Sequence, residues 1–418
     1  MPEQKTTLIR AARLADGLST STKPDQAVLI DAGRIQQVGD ATELAHNASP
    51  ETETIDLGDA TLTPGLIDGH THLSLAGDDR SYVEMFAETD EMMVLTGVHN
   101  LRQHLDAGIT TLREHGARNK VGFIIKEALS RGYIPGPRMQ VSGRPITCTG
   151  GHFHMCNEEA DGPDEIRRSV RRLVHEGADY LKIMASGGGT LGTIPGRASY
   201  SVDELHAAVH EAHHFHKLTA AHCRAKESMQ RAVEAGIDLM EHAEFLDPDD
   251  QMRFDPDLAE KMAECGIWIS PTLQAWTKYG QIAALESKRE DGTITPAEEN
   301  ELKTLEDRAE KRLDIMRRML DYCLIERIVP GTDSGVGNLV FGHLDYDLRL
   351  LVKVGFTPGE ALLSATRISA EAIGMGEELG TIEPGKIADL AAFRGDPTED
   401  AMACSDVIAV FQEGVRVR

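Results

Sequence analysis

Two histidines one residue apart close an apolar run in "GLIDGHTHLSLAG", residues 65–77. Alternate residues of a strand project to the same face, so His70 and His72 present two imidazoles together. Single polar residues end other apolar runs in the same way: Lys182 in "YLKIMASGG", His222 in "TAAHCR", His242 in "LMEHAEF" and Asp333 in "VPGTDSG". One such histidine by itself is more often a hydrogen-bonded core residue than a ligand. Several imidazoles and a carboxylate gathered at one point are costly to desolvate, and a divalent cation offsets that cost directly. Imidazole and carboxylate donors without convergent cysteines suit zinc or a similar metal. Lys182 is the odd member, because an ammonium is repelled by a dication. Two readings stay open for it: a lysine paired with a carboxylate, or a neutral amine that takes up CO2 to become an anionic carbamate.

The elements that would bring these residues together are strands alternating with helices. Strands are expected near 65–72, 109–115, 138–145, 180–186, 218–223, 239–245, 267–273 and 328–334. Helical stretches such as "DEIRRSVRRLVHEGA" and "ESMQRAVEAGI" separate them, each stopping near a glycine. Eight alternations predict an α/β fold with a (β/α)8 TIM barrel over residues 63–380, whose strand C-termini face the active-site mouth. The two chain ends, residues 1–62 and 381–418, read as short strands punctuated by Gly and Asp and predict one composite β-sandwich domain. The longest connection, roughly 274–327, carries dense opposite charges at i,i+4 spacing after a plausible N-cap at Thr295. It reads as a solvated helical excursion.

Composition narrows the function classes. Forty-three Lys and Arg against 68 Asp and Glu leave a formal charge of −25, and no basic stripe offsets it, which argues against a nucleic-acid partner. Six scattered cysteines (Cys148, Cys156, Cys223, Cys265, Cys323 and Cys404) form no C-x-x-C pair, as expected of a reduced, cytoplasmic setting. The start lacks the apolar core of a signal peptide and no apolar run reaches about 18 residues, so neither secretion nor a membrane span is expected. A homo-oligomer is the expected assembly.

In sequence order, "PGLIDGHTH", "AGITTLRE", "YLKIMASGG", "AAH", "EHAEF", "GTDSG" and "LGTIEPGKIADL" resemble the amidohydrolase superfamily across nearly the whole chain, most of all its imidazolonepropionase-like and metal-dependent Xaa-Pro dipeptidase and carboxypeptidase branch. The resemblance implies two divalent ions, expected to be zinc. His70 and His72 with Asp333 would hold the more buried one, a carboxylated Lys182 would bridge the two, and His222 and His242 would hold the second. Such a pair of ions lowers the pKa of a water between them. Asp333 would take its proton and deliver it to the leaving nitrogen.

The implied activity is hydrolysis of the C–N bond of a dipeptide or N-acyl amino acid bearing a free carboxylate. A cyclic amide, carbamate, urea or lactone is the alternative substrate class. A non-catalytic assembly protein on the same fold would have lost metal ligands, and all six are present. His152 in "TCTGGHFHMC" is expected to touch a substrate carbonyl or carboxylate, with His154 in reserve. After His222 the chain reads "HCRAKESM" where relatives often continue "HAHG" or "HAY", a departure that argues against ordinary Xaa-Pro specificity. Arg224 is read evenly as a bidentate clamp for a substrate carboxylate or as the partner of a protein acid. His206, His210 and His213 share one face of a helix and read as a solvated surface. Cys148 and Cys156 read as structural. "SGGGTLGT" at 186–193 lacks the Gly-Lys-Ser/Thr ending of a phosphate loop and reads as a loop at the mouth.

Overall fold

The two chain ends meet in one mixed sheet, and a computed structural model describing residues 6–322 and 325–418 shows how; Cys323 lies outside the described residues. From the start of the chain come β1 (Thr7–Leu14), β2 (Lys23–Asp31), β3 (Arg34–Asp40), β4 (Glu53–Asp56) and β5 (Ala60–Pro64). Neighbouring apolar residues leave these strands on opposite sides. Ile9 packs with Val28, Leu62 and Phe411, whereas Leu8 packs with Ala27 and Leu44. That two-residue period is what the alternating sequence predicts.

Two groups of parallel strands follow. β6 (Leu66–Thr71), β7 (Ile109–Glu114) and β8 (Arg138–Val141) form one sheet, and β9 (Leu181–Met184), β10 (Thr219–Ala225), β11 (Leu239–Leu246) and β12 (Trp268–Ser270) form another. Every residue of β6, β7, β9, β10 and β11 is buried, as befits parallel strands covered on both faces. Helices Gly162–Glu176 and Lys226–Ala235 end at Gly177 and Gly236, whose φ of 104° and 81° only glycine adopts without strain. Single parallel bridges join the edges in succession: Ile146 to Ile183, Ile269 to Ile328, and Thr71 to Ser334. The fold is therefore mixed α/β. At the end of the chain β13 (Leu390–Arg394), β14 (Val407–Gln412) and β15 (Val415–Arg416) return to the first sheet. β13 lies antiparallel to β5, Leu390 opposite Pro64 and Arg394 opposite Ala60, which seals both ends into eight strands. No helix among the described residues is long and apolar enough to cross a membrane.

Two expectations need correction. Residues 328–334 form no continuous strand: bridges form only at Ile328 and Ser334, with separate backbone hydrogen bonds from Val329 N to Ile269 O, Gly69 N to Pro330 O and Asp333 N to His70 O. Pro330 has no N–H to donate and Asp333 has a left-handed φ of 55°, so the ladder cannot run through. The excursion after β12 is not simply solvated either. Its long helix Pro296–Leu320 has the expected capping box at Thr295, but it buries Leu302, Ala309, Arg312, Leu313, Ile315, Met316 and Met319. These residues recur at three- and four-residue spacing, an inward stripe that the surrounding charges hide.

Arg312 is the unexpected member of that stripe. Its guanidinium donates to Ala243 O at 3.1 Å, to Pro271 O at 3.0 Å and to His242 O. His242 and Ala243 have left-handed φ of 69° and 49°. Their carbonyls leave the regular ladder and need donors from elsewhere. Arg312→Met should therefore lower stability by about 1–3 kcal/mol, the cost of stranding buried acceptors. The exposed Lys303→Met on the same helix should stay within about 0.5 kcal/mol. Urea midpoints of the two variants check this, and equal midpoints would remove Arg312 from the account of the β11 turn.

Candidate active site

The C-terminal ends of β6, β9, β10 and β11 and the 328–334 segment open onto one cavity of about 320 Å³, a small-molecule volume. His70, His72, Lys182, His222, His242 and Asp333 all line it, as do His152 and Arg224. The six residues expected to hold metal thus come together from five elements far apart in sequence. His154 does not join them and faces a neighbouring cavity with Tyr82 and Arg118. Phe153, between the two histidines, is left-handed at φ 60° and starts a short 3-10 turn, so the chain swings His154 away while Phe153 packs on His72.

The spacing of the donor atoms suits metal. His70 Nε2 and His72 Nε2 each lie 3.3 Å from Asp333 Oδ1. Two ligands about 2.0–2.1 Å from a tetrahedral zinc are roughly 3.3–3.4 Å from each other, so these contacts fit ligands of one ion. His222 Nδ1 and His242 Nε2 are 2.9 Å apart, and donor atoms of His70, His242 and Asp333 lie within 4.8 Å of one another. Lys182 is fully buried among them and its Nζ has no hydrogen-bond partner. Burial lowers its ammonium to about 8, against the opposing charges of Glu241 and Asp333. Burial likewise pushes His70, His222 and His242 well below the usual imidazole range, toward the neutral form that ligates metal.

Carboxylates that alternation did not single out support this cluster. Glu241 is wholly buried and its Oε2 lies 2.7 Å from His70 Nδ1; its Oε1 is 3.4 Å from His115 Nε2 and 4.0 Å from Lys182 Nζ. A regular strand would send Glu241 and His242 to opposite faces. The β11 register pairs Glu241 with His222 and Ser270, on the inner face, and the left-handed backbone at His242 turns that imidazole inward as well. Nothing in the two-residue period announces this. Asp68 is different, since it precedes His70 by two residues and shares its face. Its carboxylate accepts from His70 N at 3.1 Å, Thr332 N at 3.0 Å and Thr332 Oγ1 at 2.7 Å, and lies 3.1 Å from His104 Nε2. It clasps β6 to the segment that carries Asp333.

The residues on the cavity wall are also held from behind. His242 Nδ1 is 2.7 Å from Thr272 Oγ1, and His152 Nδ1 is 2.8 Å from Thr190 Oγ1. A Cβ at Gly188 would fall 2.4 Å from His152 Nε2, so the "SGGGTLGT" loop needs glycine to pass the histidine. Arg224 donates from Nε to Glu244 Oε2 at 2.7 Å and stacks over Trp276 at 4.1 Å. Of its two readings, pairing with a protein acid is the contact present. His206, His210 and His213 are exposed as expected, with His213 2.8 Å from Asp238. Cys148 and Cys156 have thiols raised by burial, the inert state of structural cysteines.

A buried cluster of imidazoles, an amine and carboxylates at strand ends lining one cavity is a candidate catalytic site. Residues 61–417 match the amidohydrolase family, and the chain belongs to it. It is a hydrolase acting on carbon–nitrogen bonds. The chain is 26% identical to the ochratoxinase of Aspergillus niger, over 98% of this chain and 84% of that one. It is 24% identical to an imidazolonepropionase of Pseudomonas putida, over 92% and 90%. Among solved structures it is similar to a Xaa-Pro dipeptidase with methionine bound in its active site, with a TM-score of 0.82, 26% identity and coverage of 99% and 100%. A prolidase complexed with N-methylphosphonate-L-proline matches with a TM-score of 0.79 at 25% identity, over 99% and 100%.

Glu241→Gln keeps the shape but removes the charge facing His70 and Lys182. Outer carboxylates that orient metal-binding imidazoles are worth about 10–100-fold in metal affinity or activity. The metal dissociation constant is expected to rise by that factor, measured by competition with a chelator. An unchanged constant would leave Glu241 a packing residue only.

Proposed function

We propose that this chain is a binuclear metal-dependent amidohydrolase that cleaves the amide bond of a dipeptide or N-acyl amino acid carrying a free carboxylate. The observation that carries the proposal is the convergence of all six donor residues on one cavity, with His70 and His72 each 3.3 Å from the same Asp333 oxygen. We read the linked parallel strands as a (β/α)8 barrel over residues 63–380, and the sheet of the two chain ends as a composite sandwich domain over 1–62 and 381–418. A cytoplasmic setting accords with the free cysteines among the described residues.

In this reading His70, His72 and Asp333 would hold one ion and His222 and His242 a second, with a carboxylated Lys182 as an oxygen ligand to them. Zinc suits the donor set, and when bound the ions lower the pKa of water and polarise a carbonyl. Lys182 suits a carbamate because its amine is buried, unpartnered and depressed. The neutral amine would react with CO2, forming the N–C bond and releasing one proton, to leave an anionic oxygen donor. Asp333 accepts the proton of the attacking water and returns it to the leaving nitrogen. His152, held by Thr190 beside His222, touches the carbonyl or carboxylate of the substrate, and Arg224 adds a polar wall. A cyclic amide is the second reading, favoured by the Glu244 carboxylate that offsets the charge of Arg224.

Screening metal-loaded enzyme against dipeptides, N-acyl amino acids and cyclic amides separates the two readings; turnover of cyclic amides alone overturns the first. Elemental analysis should give two metal equivalents per chain, and saturation at one would refute the binuclear site. Lys182→Ala should lose most activity and regain part of it with a short carboxylic acid, whereas wild-type rates in the variant would exclude a carbamate. Asp333→Asn should lower kcat by at least about 10²-fold, the scale of general acid–base groups, with metal content measured alongside.

A further inference from the structure

Besides Lys182, three cationic side chains line the cavity: Arg80, Arg224 and Lys278. Two of them are already answered by protein carboxylates. Arg80 donates from Nε to Asp78 Oδ2 at 2.9 Å and from Nη1 to Glu88 Oε1 at 2.9 Å. Arg224 is paired with the buried Glu244 at 2.7 Å and stacked on Trp276. An anion arriving at Arg224 would meet Glu244 as well, and like charges at that distance repel. Lys278 is different. No carboxylate of the described residues lies within 4.0 Å of its Nζ, and its hydrogen bond is a long one, 3.5 Å to Gly337 O.

Its position is set by the backbone. Lys278 is left-handed, φ 53°, at the joint where helix Leu273–Thr277 ends and helix Tyr279–Glu290 begins. That joint turns the side chain across the cavity toward Gly337, four residues beyond Asp333, where a Cβ would meet Nζ at 3.5 Å. Burial lowers the ammonium from its ordinary value, and the charge of Asp333 opposes that. The Lys278 ammonium stands at the partly exposed mouth of the cavity with no described carboxylate in ion-pair range, so an arriving anion meets an uncompensated charge.

We infer that Lys278 is the specificity-determining cation that receives the free carboxylate of the substrate, with Arg224 and Glu244 forming a neutral wall beside it. The inference rests on the reading of the substrate as a dipeptide or N-acyl amino acid. It also gives a function to the start of the excursion after β12, which brings Lys278 to the mouth from outside the regular strand ends. An ammonium has three donors and no fixed plane, so it suits a carboxylate whose orientation is set elsewhere in the site.

Calorimetry with N-acetyl-L-leucine and N-acetyl-L-leucinamide tests this in metal-loaded wild type, Lys278→Met, Lys278→Arg and the double variant Arg224→Met/Glu244→Gln, which removes both charges of the wall together. Wild type should bind the carboxylate roughly 10- to 100-fold more tightly than the amide. Lys278→Met should lose that preference while binding the amide as wild type does. Lys278→Arg should restore most of it, and the double variant should retain most of it. If wild type binds neither probe or shows no preference, the carboxylate reading falls and this inference with it. If Lys278→Met keeps the preference, or loses it no more than the double variant does, the assignment to Lys278 falls while the carboxylate reading stands. Weakened amide binding in Lys278→Met would mean that the residue shapes the site rather than recognising charge, and would also overturn it.

Discussion

The contact between Glu241 and His70 is the constraint around which the site is built. A carboxylate with no solvent exposure is unfavourable unless charges or donors face it, and here His70, His115 and Lys182 do so. The same contact works in the other direction. By lying against Nδ1 of His70 it leaves Nε2 turned toward Asp333 and fixes the ring. Burial raises the Glu241 carboxyl, and Lys182 and Arg113 pull it back. Arg113 itself is buried over the ring of Tyr180 at 3.6 Å, so the charges beneath the cavity form one mutually dependent group.

Around that centre the backbone departs from regular strand geometry where chemistry is concentrated. His242 and Asp333 are both left-handed without being glycine, a conformation that persists only where neighbours impose it. Asp68 and the Asp333 N–H, which donates to His70 O at 2.8 Å, hold one turn; Arg312 holds the other. Parallel strands and their ends carry His70, His72, Lys182 and His222, while left-handed turns aim His242 and Asp333. The helices after β12 therefore serve the site twice, through Arg312 behind His242 and through Lys278 on the opposite wall.

Much of this was legible in the sequence because parallel strands buried on both faces keep a strict two-residue period. That period makes His70 and His72 a pair and puts Lys182 and His222, two register positions apart on neighbouring strands, on one face; the glycine stops of the helices were legible for a separate reason, the left-handed turn that ends them. The seam between the chain ends was legible because both termini carry the same short alternating runs punctuated by Gly and Asp. Asp68 could have been read from its spacing to His70. His154 was misjudged because a left-handed Phe153 breaks the local period that would keep it beside His152.

The sequence by itself determined which polar residues stand at the ends of the buried runs, the alternation of strands and helices, and the family. Tertiary structure alone decided which charges face one another. Glu241 is invisible to alternation because its neighbour His242 turns inward on a left-handed backbone, and Arg312 is invisible because its helix is rich in charges that stay outside. The partner of Arg224 lies twenty residues away on a different strand, and among the described residues the fold brings no carboxylate within 4.0 Å of Lys278 Nζ. Period and composition are properties of a chain segment, whereas the pairing of buried charges depends on through-space distances that no segment contains.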